Sequence, residues 1–119
     1  MKVSGSRSMH ATIYVLKSCD SSKKAIKALT AARHQLEIID IRADGVPEAR
    51  LVEWLATHGA EIVINRKSTT WRGLDKAARS ADPLALLQAH PTLLKRPVIV
   101  ADGTSYVGWS KDVQAQFGL

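Results

Sequence analysis

Hydrophobic positions along the chain fall either in short continuous runs or at helical spacing, and each pattern predicts a different kind of element. Residues 12–16 (T-I-Y-V-L) are a β-branched and aromatic run with the composition of a strand. Over residues 21–33 the apolar positions Ala25, Ile26, Leu29 and Ala32 fall at helical spacing, with Lys23, Lys24 and Lys27 on the opposite face. Residues 36–41 (L-E-I-I-D-I) read as a second strand, apolar on both faces and therefore expected inside a sheet. A strand, a helix and a strand in such close succession predict a βαβ unit with parallel strands.

The middle of the chain has another rhythm. Gly45 breaks it, and Pro47 suits the first turn of a helix whose stripe is Leu51, Val52, Trp54 and Leu55 and whose end is Gly59. Residues 65–72 (N-R-K-S-T-T-W-R) are polar and read as a loop, and residues 75–80 as a short helix. Asp82-Pro83 opens a helix containing Leu84, Leu86 and Leu87, with Pro91 beyond its end. Residues 97–101, the Asp102-Gly103 turn and residues 104–107 predict a β-hairpin, and Ser110 caps a last helix running to Phe117. The order is βαβ, a helical block at about residues 46–92, then ββα. This is an α/β arrangement on the thioredoxin-like plan, with a helical subdomain inserted between two halves that must share one mixed sheet to bury their faces.

Size and composition narrow the picture. With 119 residues, 45% hydrophobic and 24% charged, residues 11–119 are expected to form one domain with a real core. Residues 1–10, with Ser4, Gly5, Ser6 and Ser8, read as a disordered tail. No apolar run approaches the roughly 20 residues needed to span a bilayer, so no membrane partner is expected. The net charge of +6 is unevenly spread. Residues 1–34 carry seven basic side chains against Asp20 alone, residues 35–64 reverse the sign, and basic residues return from Arg66 to Arg96. Aromatic residues make up 5% of the chain and do not interleave with the basic stretches as a base-stacking surface requires. An anion pocket is therefore expected rather than a nucleic-acid face.

Cys19 is the sole cysteine, which excludes a disulfide scaffold and fits a reducing cytoplasm. It lies at a strand-to-helix junction, where outward-pointing N–H groups and the helix dipole favour a thiolate. Lys17, Lys23 and Lys24 are expected to add to that effect, and the thiol pKa is expected below that of a free cysteine. Cys19-Asp20-Ser21-Ser22 is a C-x-x-S pattern. Ser22 cannot close an internal disulfide, so an external thiol must resolve any mixed disulfide, with glutathione the cytoplasmic candidate. Arg96-Pro97 opens the third predicted strand. The four histidines have no ligand spacing among themselves or with Cys19, and His34 and His58 sit near predicted helix ends where a cation is favourable. No metal site and no bound cofactor are expected.

Three stretches carry a resemblance. Residues 14–25 (Y-V-L-K-S-C-D-S-S-K-K-A), 65–74 (N-R-K-S-T-T-W-R-G-L) and 90–98 (H-P-T-L-L-K-R-P-V), in this order, resemble the arsenate reductase family, the ArsC/Spx/YffB group of thioredoxin-like proteins. The resemblance covers nearly everything from Thr12 to Phe117. It implies that Cys19 is the nucleophile, that Arg66 and Arg96 bind anions, and that Pro97 is a cis-proline beside the thiol. Ser22 and Lys23 join them as expected contacts for glutathione. Two departures separate the chain from arsenate reductases proper. Gly108-Trp109 stands where those carry a third arginine, and Lys17-Ser18 where they carry an activating polar residue. Ser22 departs from the C-x-x-C of the redox-sensing, polymerase-binding branch. The remaining pattern looks most like the YffB-type branch.

The function expected from this resemblance is a cytoplasmic glutathione-dependent thiol–disulfide reductase. It would act as a monomer on a small anionic or disulfide substrate, with glutathione as cosubstrate. Arsenate reduction coupled to glutathione and glutaredoxin is the alternative, and a non-enzymatic, Spx-like partner-binding regulator a further one.

Overall fold

The structure, a computed structural model, describes residues 9–119. Of the expected tail over residues 1–10, residues 1–8 lie outside the described residues. The chain divides into two compact units, one formed by residues up to Asp40 together with Arg96–Leu119, the other by Ile41–Lys95.

The first unit is built on a four-stranded mixed sheet. Its elements are β1 (His10–Val15), α1 (Asp20–Ala31), β2 (Gln35–Asp40), β3 (Val98–Ala101), β4 (Thr104–Val107) and α8 (Lys111–Ala115). The strand order is β2-β1-β3-β4, with β1 parallel to β2 and antiparallel to β3, and β3 antiparallel to β4. Alternation places Ala11, Ile13 and Val15 of β1 and Ile99 and Ala101 of β3 in one core with Ala25 and Leu29 of α1 and with Phe117. Tyr14 and Val98, which point to the opposite face, are buried as well, so β1 is covered on both sides. Asp102 (φ 52°) and Gly103 (φ 77°) both take positive φ, as a two-residue hairpin turn between twisted strands requires.

Several boundaries differ from the expectation. β1 already includes His10, which was expected to lie in the tail, because His10 pairs with Gln35 and the Gln35 N–H donates to the Met9 carbonyl at 2.8 Å. β2 is an edge strand, not an interior one. It pairs with β1 alone, and Ile38 is 49% exposed although its composition suggested burial on both faces. The first helix ends at Ala31 instead of Arg33. Arg33 takes φ 69°, its N–H donates to Thr30 O, and the His34 N–H reaches back to Leu29 O, both at 3.0 Å. This is a Schellman closure with arginine where glycine is usual. His34 is no helix-end cation. It is buried, accepts the Met9 N–H at Nδ1 (3.0 Å) and donates from Nε2 to Phe117 O (2.9 Å), the pattern of the neutral ring. The last helix stops at Ala115, and Phe117 enters the core beyond it.

The second unit is all helix and turn. It contains α2 (Ile41–Asp44), α3 (Glu48–His58), α4 (Ala60–Val63), α5 (Thr69–Arg72), α6 (Lys76–Arg79), α7 (Pro83–Ala89) and a 3-10 turn at Pro91–Leu93. Ile41 of α2, Leu51 and Trp54 of α3, Leu86 and Leu87 of α7, and Val63, Ile64, Leu93 and Leu94 are its buried residues. An Ile64–Leu94 bridge is flanked by Asn65 N–H to Leu93 O and Lys95 N–H to Val63 O, each 2.8 Å. Asp82 caps α7 through its carboxylate, as its position predicts, and Asp75, expected inside the short helix over 75–80, caps α6 in the same way. The stretch over 65–72, expected as loop, contains α5, capped by the Ser68 hydroxyl accepting the Trp71 N–H at 3.1 Å. Four-residue turns such as α2, α4 and α5 are too short to show a hydrophobic period. Among the described residues no helix is long and apolar enough to cross a membrane.

Candidate functional site

β1 runs out at Val15, and the Cys19 N–H donates to Leu16 O at 2.9 Å, turning the chain into α1. Cys19 is the residue immediately before the helix, with extended backbone (φ −85°, ψ 122°). Its carbonyl accepts the Lys23 N–H at 3.0 Å, while the N–H groups of the first turn have no partner within the helix. A thiol here is partly exposed and faces the positive end of a twelve-residue helix.

The surroundings set its acidity. Partial burial by itself would raise the Cys19 pKa. The Ser22 backbone N–H, the Ser22 hydroxyl and the Arg96 guanidinium all stabilise the anion, and together they hold the pKa below the ordinary thiol value. Ser22 is buried, and its hydroxyl makes no fully formed hydrogen bond in the resting geometry, yet it lies near enough to the sulfur to stabilise a negative charge there. A buried hydroxyl without a partner costs roughly 1–3 kcal/mol. A thiolate is the acceptor that offsets that cost.

The lysines expected to lower the pKa do not do so. Lys17, Lys23 and Lys24 are all exposed, and none is among the causes of the shift. Ammonium groups extended into water are screened there. Arg96 is the cation that acts on the sulfur, through both hydrogen bonding and charge.

Arg96 and Pro97 immediately precede β3, next to β1 in the sheet, and their peptide bond is cis. Pro97 is buried, and its carbonyl accepts the Gly108 N–H at 2.8 Å. Cys19, Ser22 and Arg96 thus converge within one unit, with Pro97 beside Arg96 and Lys23 on the exposed side of α1. Arg66 belongs to the other unit, where its guanidinium lies over the Trp71 ring at 5.5 Å from the centroid. Arg79 stacks on the same ring at the same distance. This Arg–Trp–Arg cluster was not anticipated, although Arg66, Trp71 and Arg79 stand close in sequence. Among the described residues no group of three His, Cys, Asp or Glu side chains could hold a metal ion.

A partly exposed thiolate with one guanidinium and no second thiol can attack a sulfur or an oxyanion and form one covalent adduct. Comparison with known proteins gives this site a context. The ArsC family profile matches residues 14–117. An uncharacterized protein of Haemophilus influenzae is 36% identical over 111 residues, spanning 89% of this chain and 97% of its own length. The solved structure of the YFFB protein is 33% identical, with a TM-score of 0.85, covering 92% of this chain and 99% of that one. That of an arsenate reductase (ArsC) related protein from Brucella melitensis is 35% identical, with a TM-score of 0.73 and coverage of 95% and 98%.

Proposed function

This chain belongs to the ArsC family, and on that premise we propose that it is a glutathione-dependent thiol–disulfide reductase with Cys19 as its nucleophile. The observation that carries the reading is the lowered thiol pKa, caused by Ser22 and Arg96 at the start of α1. Activation of this kind has a purpose in sulfur chemistry, because the thiolate is the attacking species.

The reaction runs in two exchanges. The Cys19 thiolate attacks the glutathione sulfur of a mixed disulfide on the substrate. A new S–S bond joins Cys19 to glutathione, and the substrate leaves as a thiolate that takes a proton from water. A second glutathione thiolate then attacks the glutathione sulfur held on Cys19. Glutathione disulfide leaves, and the Cys19 thiolate is restored. Ser22, having no thiol, cannot divert the intermediate into an internal disulfide. Its N–H and hydroxyl instead stabilise Cys19 as the leaving group of the second exchange. Of the two arginines proposed to hold anionic groups, Arg96 stands on its proximity to the sulfur, Arg66 on the family motif alone. Lys23 enters as an exposed contact for a glutathione carboxylate.

The test is treatment of the folded protein with glutathione disulfide. One glutathione adduct at Cys19 is expected by intact mass, released on addition of reduced glutathione. A folded protein that stays unmodified while its unfolded form reacts would overturn the reading.

Arsenate reduction is the second reading, favoured by the likeness to the arsenate reductase (ArsC) related protein of Brucella melitensis. Gly108 follows β4 where the family pattern for that reaction has an arginine. Losing one such donor costs roughly 100-fold or more in rate. Turnover of arsenate in a glutathione–glutaredoxin coupled assay at ordinary enzyme rates, about 1 per second or more, would reverse the ranking.

A further inference from the structure

The second unit carries a concentration of cations of which the proposed chemistry at Cys19 uses Arg66 alone. Arg66, Lys67, Arg72, Lys76 and Arg79 stand within one short stretch, all of them exposed. Among the described residues none of the five has a carboxylate within ion-pairing distance. The one acidic residue in the stretch, Asp75, is committed to capping α6 through the Ala78 N–H at 2.7 Å. Five positive charges against the single carboxylate of Asp75 repel one another, a cost that persists unless a further anion offsets it.

The arginines are also held in place. Arg79 donates from Nε to Trp71 O at 3.2 Å and from Nη2 to Arg72 O at 3.3 Å, and Arg72 donates from Nη2 to Lys67 O at 2.9 Å. Each guanidinium has five N–H donors, so both keep several for an outside partner. Backbone anchoring means that less side-chain freedom is lost when a carboxylate binds.

We propose that this face is a docking surface for an acidic segment of a partner protein. Charge complementarity argues for carboxylates, and the state of Trp71 argues against nucleic acid. Single-stranded nucleic acid binds through aromatic faces left open for base stacking. Here the only aromatic side chain in the patch already lies under the guanidiniums of Arg66 and Arg79. The forked donors that remain match carboxylate pairs. Arg66 is the one residue shared with the reading of Cys19, and the test leaves it unchanged.

The test uses the full chain and a fluorescently labelled octaglutamate peptide, with binding followed by anisotropy at low salt. Lys67→Gln together with Lys76→Gln removes two charges that have no side-chain hydrogen bond to lose. Lys24→Gln together with Lys27→Gln removes two equally exposed charges from α1. The first pair is expected to weaken binding about fivefold, the second to leave it nearly unchanged, and rising salt to weaken it further. Equal losses in both variants would reduce the effect to net charge and overturn the proposal. A single-stranded uridine octamer that binds more tightly than the peptide, through the same lysines, would also overturn it. Circular dichroism of each variant establishes that the fold is retained.

Discussion

Ser22 sits one helical turn after Cys19, with its buried hydroxyl directed to serve the sulfur and engaged in no fully formed hydrogen bond of its own. Reactivity and stability therefore pull in opposite directions at this position. Ser22→Ala removes a donor to the thiolate and at the same time an unsatisfied buried group. The alkylation midpoint of Cys19 is expected to rise, while stability at pH 6 holds or improves by about 1 kcal/mol. Iodoacetamide kinetics against pH, paired with urea unfolding of the same variant, measure both. A variant that is clearly destabilised with an unmoved midpoint would show that Ser22 is ordinary packing.

The Cys19 thiol titrates below its ordinary value in the folded protein, and the sign of the resulting linkage is definite. A depressed folded pKa means that folding favours the thiolate. Its contribution to stability is fully present above the unfolded pKa and is lost as pH falls through the folded one. The stability difference between wild type and Cys19→Ser should therefore shift in favour of wild type as pH rises through that window, then level off near the free-thiol pKa of about 8.5. Arg96→Ala should narrow the window by raising the folded pKa. Arg96→Lys should restore part of it, since charge survives but the forked donor does not. Urea midpoints from pH 5 to pH 9 (about the span of a perturbed thiol) provide the comparison.

His34 joins two ends of the first unit by accepting from Met9 and donating to Phe117, with its ring edge-on to the Phe117 ring at 5.8 Å between centroids. Truncation to alanine leaves a buried carbonyl unpaired and opens space against the core. A loss of about 2–4 kcal/mol is expected in denaturant unfolding. Hydrogen exchange should quicken at Gln35, the first residue of β2, and less at β3. A loss under about 0.5 kcal/mol would mean that water replaces both bonds.

Arg33 closes α1 at φ 69°, a region that costs an L-residue with a side chain roughly 1 kcal/mol. The side chain is exposed and contributes no salt bridge among the described residues. Arg33→Gly is expected to stabilise the protein by about 0.5–1 kcal/mol, read as a raised urea midpoint with an unchanged slope. Arg33→Ala should not, because alanine keeps the Cβ.

Much of this protein is legible along the chain. The β-branched and aromatic run of β1, the 3.6-residue stripe of α1, the Asp102-Gly103 turn and the caps at Asp82 and Ser110 are local choices, each settled by a few neighbouring residues. The order of motifs around Cys19, Arg66 and Arg96-Pro97 carries the family within the sequence itself. Sheet position was not local. The residues of β2 look as apolar as those of an interior strand, but whether a strand has one neighbour or two depends on where β3 inserts. β3 lies beyond the whole second unit in sequence. The causes of the thiol's acidity were not legible either. Lysines adjacent in sequence point into water, whereas Arg96, 77 positions further along, reaches the sulfur because β3 lies beside β1. Charge acts through space and is screened by solvent, so the tertiary structure alone decides which cations count.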